Sequence, residues 1–110
     1  MPLPNGLYKI AFETPHGTDY GVLDLREGRL RGGDSGMAYV GSYKQQGDMF
    51  SADLLTTQHR HVPGVVTALG YNDLRVQLEG VVKDGVCLAQ GSSRDAKGVR
   101  FMARLTMIAD

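Results

Sequence analysis

The sequence predicts an all-β fold, an eight-stranded antiparallel up-and-down β-barrel. Runs in which apolar and polar residues alternate recur along the chain, and turn residues separate them at intervals of roughly 8–12 residues, a spacing typical of sandwiches and barrels. The connections between the runs are short, which favours strands that pair with their sequence neighbours over a Greek key. Closure into a barrel also protects strand edges in a chain whose 12 basic and 12 acidic residues cancel.

Alternation defines the individual strands. In the clearest run, Leu74, Val76 and Leu78 alternate with polar residues, which indicates one buried and one solvated face. The same criterion predicts strands at residues 6–13, 19–26, 29–31, 37–45, 49–58, 74–82, 86–90 and 99–108.

Turn residues connect these strands. Asp84 and Gly85 predict a type I′ hairpin, because both residue types tolerate the positive φ angles that this turn requires. Residues 27–28 and 46–48 give the corresponding signals between other strands. Residues 63–70 are predicted to form either one short helical turn or a short strand.

The inward face of the barrel follows from the same alternation. Only 7% of the residues are aromatic and none is tryptophan. The interior is therefore expected to be lightly filled, with room for one small apolar ligand, which barrels of this size can hold. The residues predicted to line the interior are Tyr8, Ile10, Phe12, Leu74, Val76, Leu78, Phe101, Ala103 and Leu105.

Length and composition limit the function. The 110 residues fit a single domain, residues 1–110. Zero net charge and scattered basic residues argue against direct nucleic-acid binding, which needs a basic surplus. No apolar run approaches the roughly 20 residues of a membrane-spanning helix, and no secretory signal is visible. A single cysteine precludes an internal disulfide. We therefore expect a cytoplasmic protein without membrane contact.

Glycines are concentrated before the fourth predicted strand, in the segment Gly32, Gly33, Asp34, Ser35 and Gly36. The segment lacks the Gly-Lys-Ser/Thr ending of a phosphate-binding loop, and no helical pattern follows it. We interpret it as a structural turn. Glycine would supply positive φ angles there, and the Asp34 side chain would accept hydrogen bonds from backbone amides.

The histidines are candidates for metal ligands. His59 and His61 share one face of a strand and would need a third ligand, for which His16, Asp53 and Cys87 are available. The spacing selects none of these three. Solvated imidazoles at a polar strand end are the simpler interpretation, so we predict no metal and no other cofactor.

No side chain is marked as a catalytic group. Ser35, Ser92 and Ser93 lie in glycine-rich loops without the nucleophile elbow of hydrolases. Cys87 lies in an apolar strand, where a thiol is usually inert. We therefore predict that the protein is not an enzyme. Four tyrosines near turns fit a protein interface and a barrel rim equally well, namely Tyr20, Tyr39, Tyr43 and Tyr71.

Short motifs in the same order along the whole chain are similar to those of the GrlR-like proteins. They are Asn5-Gly6-Leu7-Tyr8-x-Ile10-x-Phe12, Gly21-Val22, Gly32-Gly33-Asp34-Ser35-Gly36, Tyr39-x-Gly41-x-Tyr43, Phe50-x-Ala52, His61-x-x-Gly64, Phe101-x-Ala103-x-Leu105 and Ala109-Asp110. The resemblance implies a lipocalin- or calycin-like barrel of eight antiparallel strands with one short helix. It also implies a tendency to form homodimers.

The resemblance further implies a non-enzymatic bacterial regulator that acts by protein–protein contact. In this family a negative regulator of type III secretion sequesters a transcriptional activator, and an acidic run, Glu-Asp-Glu-Asp, in one turn is associated with the partner contact. The matching turn here consists of Gln45, Gln46, Gly47 and Asp48, of which only Asp48 is acidic. The alternative function is that of a small barrel that carries a hydrophobic ligand in its interior.

Overall fold

The computed structural model describes residues 2–15, 17–60, 73–96 and 98–110. Within these residues the chain forms eight β-strands and no helix, which confirms the predicted all-β class. The described part therefore contains no helix that would be long and apolar enough to cross a membrane. The strands are β1 (Gly6–Thr14), β2 (Gly17–Arg26), β3 (Arg29–Gly33), β4 (Met37–Gln46), β5 (Met49–Gln58), β6 (Asp73–Lys83), β7 (Val86–Ser92) and β8 (Arg100–Ala109).

The strands close into an antiparallel barrel in chain order. Each strand pairs with the next one along the chain, and β8 pairs with β1. The predicted up-and-down topology is thereby confirmed. Strand β5 has the predicted bounds, whereas β3 continues two residues beyond its predicted end. The helical turn or strand predicted at residues 63–70 lies outside the described residues.

Two-residue turns connect the strands at one end of the barrel, which we define as the tight-turn end. Asp84 and Gly85 have φ angles of 54° and 77°, and Glu27 and Gly28 have φ angles of 50° and 82°. Two consecutive positive φ angles are characteristic of a type I′ turn, whose twist matches that of the flanking strands. The predicted hairpin at Asp84 and Gly85 is therefore confirmed.

The N-terminal segment is fixed against the tight-turn end. Leu3 is buried in the hydrophobic core. Its N–H donates to the side-chain oxygen of Gln45 at 2.7 Å, and its carbonyl accepts from the side-chain nitrogen of Gln45 at 2.9 Å. The Tyr8 hydroxyl donates to the carbonyl of Pro4 at 2.6 Å. These bonds satisfy polar groups that would otherwise be costly to bring next to the core.

Side chains from all eight strands form the core inside the barrel. The nine residues predicted to line the interior are buried in this core, and none is more than 8% exposed. The ring of Phe12 contacts Tyr39 and Phe101 edge to face, with ring centroids 5.6 and 5.8 Å apart. The predicted inward face is therefore part of the hydrophobic core of the barrel.

Strands β2 and β6 extend beyond their shorter neighbours β3 and β7, and side chains bond the backbone at both extensions. The N–H of Tyr20 donates to the carboxylate of Asp19 at 2.9 Å. The N–H of Arg75 donates to the carboxylate of Asp95 at 3.3 Å, and the hydroxyl of Ser93 donates to the carbonyl of Arg75. Where β2 and β6 have no neighbouring strand on one side among the described residues, side chains therefore pair with backbone groups that neighbouring strands satisfy elsewhere in the barrel.

Candidate functional surface

The turn between β4 and β5 carries the residues predicted to contact a partner. Gln46, Gly47 and Asp48 are exposed, and the carbonyl of Asp48 accepts a hydrogen bond from the N–H of Val82 at 2.8 Å. The amide of Gln45 is instead occupied by the backbone of Leu3. The predicted contact is therefore sterically accessible at three of its four positions, while Gln45 has a structural role.

The glycine-rich segment is only in part a turn. Gly32 and Gly33 are the last residues of β3, and neither they nor Gly36 has a positive φ angle. The prediction that these three glycines supply positive φ angles is therefore wrong. A Cβ atom on Gly32 would overlap with the carbonyl oxygen of Val22 and lie 2.5 Å from the Cα atom of Leu23. Gly32 is needed because β3 passes very close to β2.

Asp34 is the centre of a hydrogen-bond network in the connection between β3 and β4. Its carboxylate accepts from the N–H groups of Gly36 and Met37 at 2.9 and 2.8 Å, the Asx-type arrangement expected from the sequence. It also accepts from the buried hydroxyl of Tyr39. Burial and the adjacent Asp34 carboxylate hold the pKa of the Tyr39 phenol well above its ordinary value. His59 places its Nε2 atom 3.0 Å from the carbonyl of Asp34.

The nucleophile candidates are in structural positions. Burial raises the pKa of the Cys87 thiol to about 11, so the thiolate needed for reaction is scarce at neutral pH. The Ser93 hydroxyl donates to Arg75, and Ser92 ends β7 beside β6. Ser35 accepts a hydrogen bond at its carbonyl from the Arg60 guanidinium at 3.4 Å.

The metal-ligand candidates that lie within the described residues are separated by the fold. Asp53 is exposed on the outer face of β5, whereas Cys87 is buried inside the barrel and His59 lies beyond the end of β5. Among the described residues no three His, Cys, Asp or Glu side chains are grouped to hold a metal ion. His16 and His61 lie outside the described residues.

Two of the four tyrosines belong to the core, so the interface and rim interpretations are wrong for them. Tyr39 and Tyr43 lie on the inward face of β4 and are buried. The Tyr43 ring stacks on Phe50 with centroids 5.7 Å apart. Tyr20 is exposed on β2, and Tyr71 lies outside the described residues.

An apolar pair bounded by arginines lies on the outer wall. Val40 and Leu55 are directly paired across β4 and β5 and are 53% and 42% exposed. On the two outer sides, Val40 is paired with Arg31 of β3, and Leu55 is paired with Arg75 of β6. All four side chains thus lie on one row across four neighbouring strands. We define these four residues as the arginine-flanked patch.

A second apolar row lies on the outer wall nearer the tight-turn end. Met49 of β5 is paired with Val81 of β6, and Val81 is paired with Leu88 of β7. The three side chains are 59%, 50% and 55% exposed. We define these three residues as the Val81 row. On β6 the row is flanked by Glu79 and Lys83, both exposed on the same face.

These observations define the class of protein as a small antiparallel β-barrel that, in its described residues, has an apolar core and exposed apolar side chains on its outer wall. Neither the arginine-flanked patch nor the Val81 row was found from the sequence, because alternation identifies outward positions but not which of them are neighbours. No family model matches the chain, and no curated protein matches it.

Proposed function

We propose that the protein is a non-enzymatic regulatory protein that acts by binding another protein at the arginine-flanked patch. The observation that carries this proposal is the exposed pair Val40 and Leu55 with an arginine at each end. Large contiguous apolar patches on a protein surface mark interaction sites, and we take this exposed pair as the centre of such a site. Arginine is itself enriched at the cores of protein interfaces.

The arginines of this patch suit an acidic partner, although Asp24 is paired with Arg31 across β2 and β3 and Asp53 lies two residues from Leu55 on β5. Arg26 and Arg29 are directly paired across β2 and β3, although like charges in opposed positions destabilise a sheet. Arg26 is held by Asp24 at 3.4 Å. Arg29 lies two residues from Arg31 on the same outward face of β3. Guanidinium groups bind carboxylates with two parallel hydrogen bonds, so this side of the barrel suits apolar anchors flanked by Asp or Glu.

The similarity to GrlR-like proteins supports a regulatory role, with a transcriptional activator as the sequestered partner. In that family the acidic charge belongs to the regulator. Here the turn containing Gln46 and Asp48 has one carboxylate where the family motif has four. We therefore propose that the sign of the charge complementarity is reversed, with arginines on this chain and carboxylates on the activator.

The ligand-carrier alternative has less support. The residues predicted to line a ligand cavity are at most 8% exposed and belong to one hydrophobic core cluster. A ligand would have to displace these side chains and separate their packing contacts, which are individually small but collectively large.

The proposal is tested by affinity capture from the native host with matched variants. Leu55→Ser removes the apolar anchor of the patch, and Met102→Ser makes a similar change at an equally exposed site on β8, 43% against 42% exposed. We expect wild type and Met102→Ser to recover the same stoichiometric partner. Leu55→Ser should recover about tenfold less of it, as expected for the loss of a central apolar contact.

Reversal of charge tests the sign of the partner. Arg75→Glu should weaken capture, whereas Lys9→Glu, the same charge change on β1, should not. Circular dichroism and the urea midpoint of each variant establish that the barrel is folded. Capture of no stoichiometric protein by the wild type, or equal capture by Leu55→Ser, contradicts the proposal.

A further inference from the structure

Residues 2–5 are held at the tight-turn end in the manner of a bound peptide. They lie before β1 and outside the eight strands, and hydrogen bonds to three separate parts of the barrel hold them. The contacts come from Tyr8 of β1, Gln45 of β4 and Glu27 in the turn between β2 and β3. We define these three residues, with the part of the core that Leu3 enters, as the Leu3 socket.

The Gln45 side chain recognises the backbone of a single residue in both directions. Its Oε1 atom accepts from the Leu3 N–H at 2.7 Å, and its Nε2 atom donates to the Leu3 carbonyl at 2.9 Å. An amide that exchanges two bonds with one residue reproduces the pairing that an antiparallel strand would provide. This contact requires a peptide backbone but no covalent connection to β1. A segment of another chain can therefore make the same two bonds.

Two prolines suit the segment to this socket. Proline has no N–H, so Leu3 carries the single backbone donor of residues 2–4, and Gln45 satisfies it. Proline also fixes its own φ angle and favours an extended conformation at the residue before it, which lowers the entropy cost of binding. The Tyr8 hydroxyl donates to the carbonyl of Pro4 at 2.6 Å. Aromatic-lined sites are the usual receptors of proline-rich segments.

The side chains of Leu3 and Asn5 give the socket a sequence preference. Leu3 is buried in the hydrophobic core. The side-chain oxygen of Asn5 accepts from the Glu27 N–H at 3.1 Å, and its nitrogen donates to the Glu27 carboxylate at 2.7 Å. A carboxamide fits this position because it both donates and accepts. The sequence that satisfies every contact is therefore Pro-Leu-Pro-Asn.

We propose that the Leu3 socket is a binding site for a Pro-Leu-Pro-Asn segment of a partner protein, and that residues 2–5 of this chain occupy it as an autoinhibitory segment. This inference goes beyond the proposed function, because the socket lies at the tight-turn end and the arginine-flanked patch lies on the outer wall. A segment joined directly to β1 has an effective concentration on the order of 1 mM. A partner segment has to displace it by competition.

An NMR titration of the isotope-labelled protein tests the site, with the capped peptide Pro-Leu-Pro-Asn as the probe and the side-chain amide of Gln45 as the reporter. Leu3→Asp in the full chain expels the tethered segment, because an unpaired carboxylate is very costly in an apolar core. Leu88→Asp is the matched control, the same change at an exposed leucine on β7.

The peptide should saturate Leu3→Asp with a dissociation constant of about 0.1 mM or below. The reason is that a tethered segment fills its site only if the intrinsic constant lies about tenfold below the effective concentration. The wild type and Leu88→Asp should bind the peptide at least about tenfold more weakly, because their own residues 2–5 compete for the socket.

Matched changes test the assigned contacts. A peptide with serine in place of leucine should bind Leu3→Asp at least about tenfold more weakly, since it has no apolar side chain to bury. In the Leu3→Asp background, Gln45→Glu should weaken binding to a similar extent, because a carboxylate accepts from an N–H but does not donate to a carbonyl. Gln46→Glu, the same change at the exposed neighbouring residue, should leave binding unchanged.

Hydrogen exchange of the wild type tests displacement without any variant. The Leu3 amide should exchange through release of the segment, with a protection factor at least about tenfold below that of Leu105 in the buried face of β8, whose exchange requires opening of the barrel. Equal protection of the two amides overturns the proposal, and this measurement decides the matter if Leu3→Asp does not fold.

Three titration results also overturn the proposal. They are the absence of saturable binding to a folded Leu3→Asp protein, equal binding to Leu88→Asp, and binding that is insensitive to Gln45→Glu and to the serine peptide. Partner capture at the arginine-flanked patch is read out with Leu55→Ser, so it can succeed or fail independently of these results.

Discussion

Removal of the Asp34 carboxylate should destabilise the barrel strongly, because three hydrogen bonds converge on it. The N–H groups of Gly36 and Met37 and the hydroxyl of Tyr39 all donate to this side chain. Loss of the two backbone bonds costs about 1 kcal/mol each, and the buried phenol left without an acceptor costs about 1–3 kcal/mol more. We therefore expect Asp34→Ala to lower the free energy of unfolding by about 3–5 kcal/mol.

The cost of the unpaired phenol can be isolated with a double-mutant cycle. Tyr39→Phe alone should cost about 1–2 kcal/mol through the lost bond. In the Asp34→Ala background the same change should instead restore about 1–3 kcal/mol, because it removes the buried hydroxyl that has lost its acceptor. Urea unfolding followed by circular dichroism measures all four proteins. A cost below about 1 kcal/mol for Asp34→Ala, or simple additivity of the two changes, refutes this account of the connection between β3 and β4.

Two further predictions concern a close backbone approach and a buried thiol. Gly32→Ala should lower the free energy of unfolding by about 2–4 kcal/mol, because its Cβ atom would overlap with the carbonyl oxygen of Val22. Gly36→Ala should change the free energy of unfolding by less than about 1 kcal/mol, because its Cβ atom would lie 3.8 Å from the nearest atom, the carbonyl oxygen of Arg60. Chemical denaturation compares the two variants, and equal costs contradict the close-approach argument. Cys87 should react with a thiol reagent at pH 8 only as fast as the protein unfolds, since burial raises the pKa of its thiol to about 11. Because the pKa of Cys87 is higher in the folded than in the unfolded state, its contribution to the free energy of unfolding is complete below about pH 9 and is lost as the pH rises from about 9 to 11. Cys87→Ala should reduce this loss. Tyr39, whose pKa is also raised in the folded state, should lower the free energy of unfolding further above about pH 10.

The strand pattern could be predicted from the sequence because one face of every strand is buried. The alternation that predicted β6 is the alternation of burial in the structure, from Leu74 to Val82. The turn at Asp84 and Gly85 was equally predictable, since few residue pairs accept two positive φ angles. The assignment of Gly32 to a turn failed because glycine has no side chain to show which face it belongs to.

The sequence contained a pattern that indicates the inward orientation of the β4 tyrosines, but their position near turns led to the interface and rim interpretations. Met37, Tyr39 and Tyr43 occupy alternate positions of one strand, and all three are buried. Extending that alternation across Gly41 would have placed both tyrosines in the core. The attachment of Leu3 had no such signal, because a single apolar residue between prolines has no period and its partner Gln45 is distant in sequence.

The two patches on the outer wall could not be derived without the register of the strands. Gln46 pairs with Met49, which places Val40 opposite Leu55. The turn at residues 46–48, as predicted, would have paired Gln45 with Met49 and shifted every partner by one position. A one-residue shift places Val40 opposite Leu54, which is buried, so the exposed apolar pair disappears.

The central claim is that recognition occurs on the outer wall of the barrel and that the interior serves the fold. Native mass spectrometry of the protein, gently purified from its host, tests this claim most directly, because one spectrum distinguishes protein partners from small ligands and metal ions. The account predicts the 11.9 kDa chain in complex with a stoichiometric second protein, and no retained small molecule. A single chain that carries a stoichiometric adduct of a few hundred daltons, or a metal ion, would contradict it.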